Sequence, residues 1–163
     1  MSDKPITRIV TPISLQYTVN AGTTTSAFLK ALMQKRIVGR RCPVTGKVYV
    51  PPKGASPTHG VAMTEEVEVS QVGTVTNFAI VNIPFEGQKL TPPYVGASVL
   101  LDGADVPLFH LLGGFPASEA RMGMRVRAVW VPDEELAPTL ASIAYFEPTG
   151  EPDAAFETYQ EHL

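Results

Sequence analysis

Six short segments rich in β-branched and aromatic residues occupy most of the second half of the chain: Glu65 to Ser70, Gly73 to Val81, Tyr94 to Leu101, Val106 to Leu112, Arg125 to Val131 and Leu140 to Phe146. Turn signals part them at Val72-Gly73, Glu86-Gly87, Asp102-Gly103, Gly113-Gly114 and Pro132-Asp133. Five or six strands of this length and spacing suit a small barrel, because closing the sheet pairs the backbone groups that an open edge would leave bare. A short helical turn is expected at Ala117 to Met122, with Ser118 as a cap, before Met122-Gly123-Met124 leads back into a strand.

The front of the chain reads differently. Ile6 to Val19 alternates loosely and carries Pro12, which suits an extended arm or an edge strand rather than a core strand. Gly22-Thr23-Thr24-Thr25-Ser26 then offers N-cap chemistry for a helix over Ala27 to Arg36. Phe28, Leu29, Leu32 and Met33 make one apolar stripe on it, read as packing, and Lys30, Gln34 and Lys35 fall on the wet side. Past Gly39 come two knuckle-like turns, Cys42-Pro43-Val44-Thr45-Gly46 and Ser56-Pro57-Thr58-His59-Gly60. Their spacing is that of a zinc ribbon, in which two C-x-x-C turns bring four thiolates to one tetrahedral ion. Here the four slots hold Cys42, Thr45, Ser56 and His59. Hydroxyls stay protonated at neutral pH, so one thiolate and one imidazole remain, and no structural zinc is expected. Val48, Tyr49, Val50 and the stiff Pro51-Pro52 pair would keep the finger's shape instead. An ordinary proline-rich loop around a buried cysteine is the alternative that the residues leave open.

With 163 residues, 44% of them hydrophobic, the chain suits one globular domain with a sizeable core. No apolar run approaches the ~18 residues of a spanning helix, and Met1-Ser2-Asp3-Lys4-Pro5 lacks the order of a signal peptide. A soluble cytoplasmic protein is expected. One cysteine allows no internal disulfide, in keeping with a reducing compartment. Charge is divided sharply: residues 1–64 carry nine Lys/Arg against Asp3 alone, and residues 65–163 carry four against fifteen Asp/Glu. Such a basic front on an acidic body implies an anionic ligand at the front, docking of the halves on each other and on partners, or a solvated surface.

Five segments carry a resemblance to a family: Phe28-Leu29-Lys30-Ala31-Leu32, Arg36-Ile37-Val38-Gly39-Arg40-Arg41-Cys42, Val48-Tyr49-Val50-Pro51-Pro52-Lys53-Gly54, Gly73-Thr74-Val75, and Arg121-Met122-Gly123-Met124-Arg125-Val126. In that order, over roughly residues 24–148, the chain resembles the bacterial and archaeal acyl-CoA-associated proteins that join an N-terminal helix, a rubredoxin-like zinc ribbon and a C-terminal OB fold. It departs from them at three ligand positions, Thr45, Ser56 and His59. The resemblance implies a mainly β protein with an arm (1–23), an amphipathic helix (24–38), a degenerate zinc-ribbon finger (39–62), a five-stranded OB-fold barrel (63–150) and an acidic C-terminal tail (151–163). It also implies an accessory subunit of a thiolase-like or aldolase-like enzyme, or of an enoyl-CoA hydratase, in fatty acid or steroid side-chain metabolism. Such a subunit helps position an acyl-CoA and holds no tightly bound cofactor.

CoA carries a 3′-phosphate and a pyrophosphate, so a seat for it needs cations and an apolar wall. Arg36, Arg40, Arg41, Lys47 and Lys53 offer the charge, with Arg41 and Lys53 favoured; Phe78, Phe85, Tyr94 and Phe109 offer the wall. Independent catalysis is disfavoured, since Cys42 and the three histidines form no nucleophile pattern and no G-x-S-x-G, HExxH or P-loop occurs. His110, in an apolar run, reads as a structural histidine. Two alternatives stand beside the accessory role: a single-stranded nucleic-acid-binding OB protein, which the acidic barrel half opposes, and a purely structural bridge between enzyme subunits. Self-association stays open.

Overall fold

A computed structural model of the chain describes Pro5 and residues 7–11 and 15–163. Ile6 and Pro12 of the expected arm lie outside the described residues. The described residues of that stretch, 7–11 and 15–19, form no strand and lie exposed.

The helix α1 (Gly22–Leu32) starts earlier than the Thr-rich run suggested. Ala21 is the N-cap and makes no side-chain cap bond; one residue before it, Asn20 Oδ1 accepts the Gly22 N–H at 3.1 Å, and the run Thr23–Ser26 lies inside the first turns. At the other end Lys35 turns left-handed (φ 55), and the Lys35 and Arg36 N–H groups donate to Leu32 and Ala31 carbonyls at 3.0 Å each. That is a Schellman stop, which ends the helix short of Arg36. Phe28, Ala31 and Leu32 are buried, whereas Met33 is exposed.

Strands β1 (Val38–Arg41), β2 (Val48–Tyr49) and β3 (Glu65–Glu68) form a small antiparallel sheet in the order β2-β1-β3. The expectation that Glu65 to Ser70 is a barrel strand is thus corrected. It pairs with β1, register Arg41↔Glu65, Arg40↔Glu66 and Val38↔Glu68, and there Arg41 meets Glu65 across the two strands while Arg36, just before β1, meets Glu68.

The barrel consists of β4 (Val72–Val81), β5 (Tyr94–Leu101), β6 (Leu108–Leu112), β7 (Arg125–Trp130) and β8 (Ile143–Pro148). Their order is β4-β5-β6-β8-β7, and β7 pairs back onto β4 to close it. β6 begins at Leu108, after Pro107, which has no N–H to give a ladder. Leu140–Ser142 is a 3-10 turn capped by the Thr139 hydroxyl, so β8 starts only at Ile143. Between β6 and β7 the expected helical turn is a shorter 3-10 turn, Ala117–Glu119, preceded by Pro116 and without a side-chain cap; Ser118 lies inside it. The acidic C-terminal segment is neither a regular helix nor loose. It winds through 3-10 turns Phe156–Thr158 and Gln160–His162, is fastened by Arg121 Nε and Nη2 on Asp153 (2.6 and 2.8 Å), and buries Tyr159.

One apolar core joins helix, finger and barrel, from Phe28 and Leu32 of α1 through Ile37, Val38, Val48 and Val50 to Val75, Val99, Val126 and Phe146 of the barrel. The finger is further clamped to the barrel by a reciprocal pair: Val48 N–H donates to Asp105 Oδ2 (2.8 Å), and Asp105 N–H donates to the Val48 carbonyl (2.9 Å).

Candidate functional site

The finger is built from two turns of near-identical backbone. In the first, Cys42 N–H donates to Lys47 O (2.8 Å) and Gly46 N–H to Cys42 O (2.9 Å); in the second, Ser56 N–H donates to Val61 O (2.8 Å) and Gly60 N–H to Ser56 O (2.9 Å). Gly46 and Gly60 sit at φ 73 and 68, a region that a side chain would strain. The first residue of each knuckle, Cys42 or Ser56, is buried, and the fourth, Thr45 or His59, is exposed. Cys42 Sγ lies 3.4 Å from Ser56 Oγ, which in turn lies 3.3 Å from Thr58 Oγ1 and 3.5 Å from His59 Nδ1; Thr58 Oγ1 and His59 Nδ1 are 2.8 Å apart. Hydrogen bonds from the Ser56 hydroxyl first, then from Thr45, pull the Cys42 thiol down to about 6.

The candidate cations are mostly occupied. Arg36 Nε donates to Glu68 Oε2 (2.8 Å), Arg41 Nε to Glu65 Oε1 (2.9 Å) and Arg41 Nη1 to the Gly46 carbonyl (3.0 Å), while Arg40 Nη1 donates to the Met63 carbonyl (2.8 Å). Lys35 pairs with Asp133. Much of the charge division read along the chain is therefore folded in on itself, the first third meeting the acids of β3. Lys47 and Lys53 are exposed and in no ion pair among the described residues.

The aromatic candidates lie elsewhere, on the barrel, so the structure does not gather the nine residues into one groove. Phe78 packs half-buried against the core, Phe85 is exposed in the β4–β5 connection, and the Tyr94 hydroxyl accepts from Gln88 Nε2 (3.2 Å). Phe109 is 67% exposed and borders an apolar groove of about 320 Å³ with His110, Leu111, Leu140, Ala141, Ile143 and Ala144. This groove marks where β6 and β8 part, for they share only the Leu112↔Phe146 register. A larger cleft of about 740 Å³ contains Arg125, a residue that sequence reasoning missed as a site. Its guanidinium is spent on Asp102 (2.8 and 2.6 Å), Thr74 Oγ1 (2.9 Å) and Glu151 (3.5 Å), so the cleft offers an anion no free cation.

His110 fills the parting of the strands. Leu111 N–H donates to its Nδ1 (2.8 Å), so that nitrogen is bare, and Nε2 faces the Leu140 carbonyl (3.4 Å) and carries the proton. The Leu111 contact needs an unprotonated Nδ1, and burial lowers the pKa of the ring against the smaller raising effect of the Leu140 carbonyl. Below the ordinary value near 6.5 the unfolded chain takes up a proton that the folded chain refuses, so stability is full above that pH and falls as pH descends toward the lower folded value. Denaturant unfolding at pH 7.5 and 5.5 should show a larger loss for wild type than for His110→Phe; equal losses would show that the ring does not report pH.

Comparison with known proteins gives a partial match. Residues 66–131 match the family model of the ChsH2 C-terminal OB-fold domain. The barrel is an OB fold. Among solved structures, an Ltp2-ChsH2(DUF35) aldolase chain is similar with a TM-score of 0.61 and 23% identity, over 82% of this chain and 98% of that one. A DUF35-family protein of unknown function from Sulfolobus solfataricus is similar with a TM-score of 0.59 and 19% identity, over 78% of this chain and 86% of its own. A search of curated proteins gave no match. No helix among the described residues is long and apolar enough to cross a membrane.

Proposed function

We propose that the chain is a noncatalytic accessory subunit that fastens to a thiolase-like or aldolase-like enzyme and supports its work on acyl-CoA thioesters in lipid metabolism, of fatty acid or steroid side-chain type. The observation that carries this reading is the arm, where Ile9, Val10, Leu15, Tyr17 and Val19 stand 70–82% exposed. Large apolar side chains grouped in the open mark a surface that another protein covers. The likeness in fold to the Ltp2-ChsH2(DUF35) aldolase chain supports a partner of that enzyme class. The noncatalytic part rests on the side-chain chemistry: Cys42 is sealed from solvent, and both ring nitrogens of His110 are engaged.

For the thioester itself, Lys47 and Lys53 are the two of the five candidate cations left to meet phosphate. The double variant Lys47→Ala/Lys53→Ala should keep its fold and its partner while KM for the acyl-CoA in the assembled enzyme rises about tenfold, the ratio that roughly 1.4 kcal/mol represents. Unchanged kinetics would leave the structural bridge as the better reading. Binding to a single-stranded oligonucleotide that weakens steeply with salt, with none to CoA, would favour the nucleic-acid reading instead.

A further inference from the structure

The finger has the spacing of a metal ribbon, yet its donors do not suit the metal. Zinc closes a structural site with four thiolate or imidazole donors, and two hydroxyls in the set leave it half-coordinated. Among the described residues no three His, Cys, Asp or Glu side chains converge as ligands. Nor is there a polar atom in need of an ion, for every buried side-chain nitrogen and oxygen among the described residues has a hydrogen-bond partner. The contacts around Ser56 Oγ, to Cys42, Thr58 and His59, join the two knuckles where a ribbon would place its ion. Below them Val48, Val50 and Met63 are buried, the two valines in the core shared with the barrel, so the finger is anchored by packing. The backbone, meanwhile, has kept the form: two knuckles, each closed by the same pair of hydrogen bonds and the same left-handed glycine, fourteen residues apart.

We propose that the finger is a metal-independent knot in which hydrogen bonds and the shared core replace the ion, on a backbone still shaped for tetrahedral coordination. Three side chains, Thr45, Ser56 and His59, separate it from a working site. Their first atoms beyond Cα need only become sulfur-bearing, because Cys42 and the positions of the other three already follow the two-knuckle plan.

Two measurements test this. The wild-type chain, purified from zinc-supplemented cells, should hold zinc well below one ion per chain by elemental analysis, and its thermal midpoint should not move when a strong chelator is added. The variant Thr45→Cys/Ser56→Cys/His59→Cys, kept reduced, should take up one Co(II) with the thiolate-to-cobalt charge-transfer and tetrahedral d–d absorption of a four-sulfur site, and zinc should raise its midpoint by several degrees. If the variant is unfolded without metal, the same spectrum together with folding on cobalt addition, read by circular dichroism, supports the proposal equally. Stoichiometric zinc in the wild type, with unfolding on chelation, overturns metal independence. A variant that neither develops that spectrum nor folds with cobalt overturns the retained tetrahedral shape.

Discussion

Gly73→Ala should destabilise the protein by about 3 kcal/mol, lowering the thermal midpoint of a chain this size by roughly 6–12 °C. Gly73 lies on β4 between Leu101 of β5 and Val126 of β7, at the seam that closes the barrel. A Cβ built there would lie 2.5 Å from the Leu100 carbonyl oxygen and 2.9 Å from the Leu100 carbonyl carbon and the Leu101 Cα. All three are backbone atoms held in ladders, so none can swing aside as a flexible side chain would. Relief requires β4 to part from β5 or β7. Gly54→Ala is the control, since its nearest neighbour is Thr24 Oγ1 at 3.5 Å, an ordinary contact; it should shift stability by no more than about 0.5 kcal/mol. Thermal unfolding of the two variants side by side checks the pair. A Gly73 variant as stable as the control would mean that the barrel seam is not where the structure puts it.

The second large effect concerns binding. Replacing Leu15, Tyr17 and Val19 together by serine should weaken association with the partner enzyme by at least about 100-fold while the thermal midpoint stays that of wild type. The three side chains are 81%, 77% and 70% exposed and give nothing to the chain's own core. Each is worth roughly 1.5–3 kcal/mol when fully covered, so losing a combined 2.7 kcal/mol, the value of a hundredfold change, asks little of them. Calorimetric titration of the partner with wild type and variant reads the difference. An unaltered affinity would send the search for the docking surface to the barrel groove beside Phe109.

How much of this could be read beforehand depended on the range of the interaction concerned. Strands β4 and β5 stood out because β-branched residues between turn glycines report local preference. The knuckles were visible for the same local reason, since the Cys42-to-Gly46 and Ser56-to-Gly60 spacings are backbone requirements. The helix start was misplaced because Asn20 reaches the first N–H from two residues upstream and the Thr run beside it is a more conspicuous cap. β3 was assigned to the wrong sheet, as alternation announces a strand but does not name its neighbour. The signal that could have corrected it was the opposition of Arg36, Arg40 and Arg41 to Glu65, Glu66 and Glu68. That same opposition explains why the proposed CoA cations looked more available than they are: Arg41 and Arg36 meet their carboxylates across 24 and 32 residues of chain. His110 has partners at both ring nitrogens, but its place in the parting between β6 and β8 depends on barrel closure and has no local signature.

The most direct measurement is purification of the tagged chain from its native source, with mass spectrometry of what accompanies it and an acyl-CoA turnover assay of chain and complex. An accessory subunit should bring down a thiolase-like or aldolase-like enzyme in fixed proportion, the complex should turn over the thioester, and the chain alone should not. Turnover by the isolated chain, or a fixed complex with an enzyme that does not act on CoA thioesters, would contradict the account.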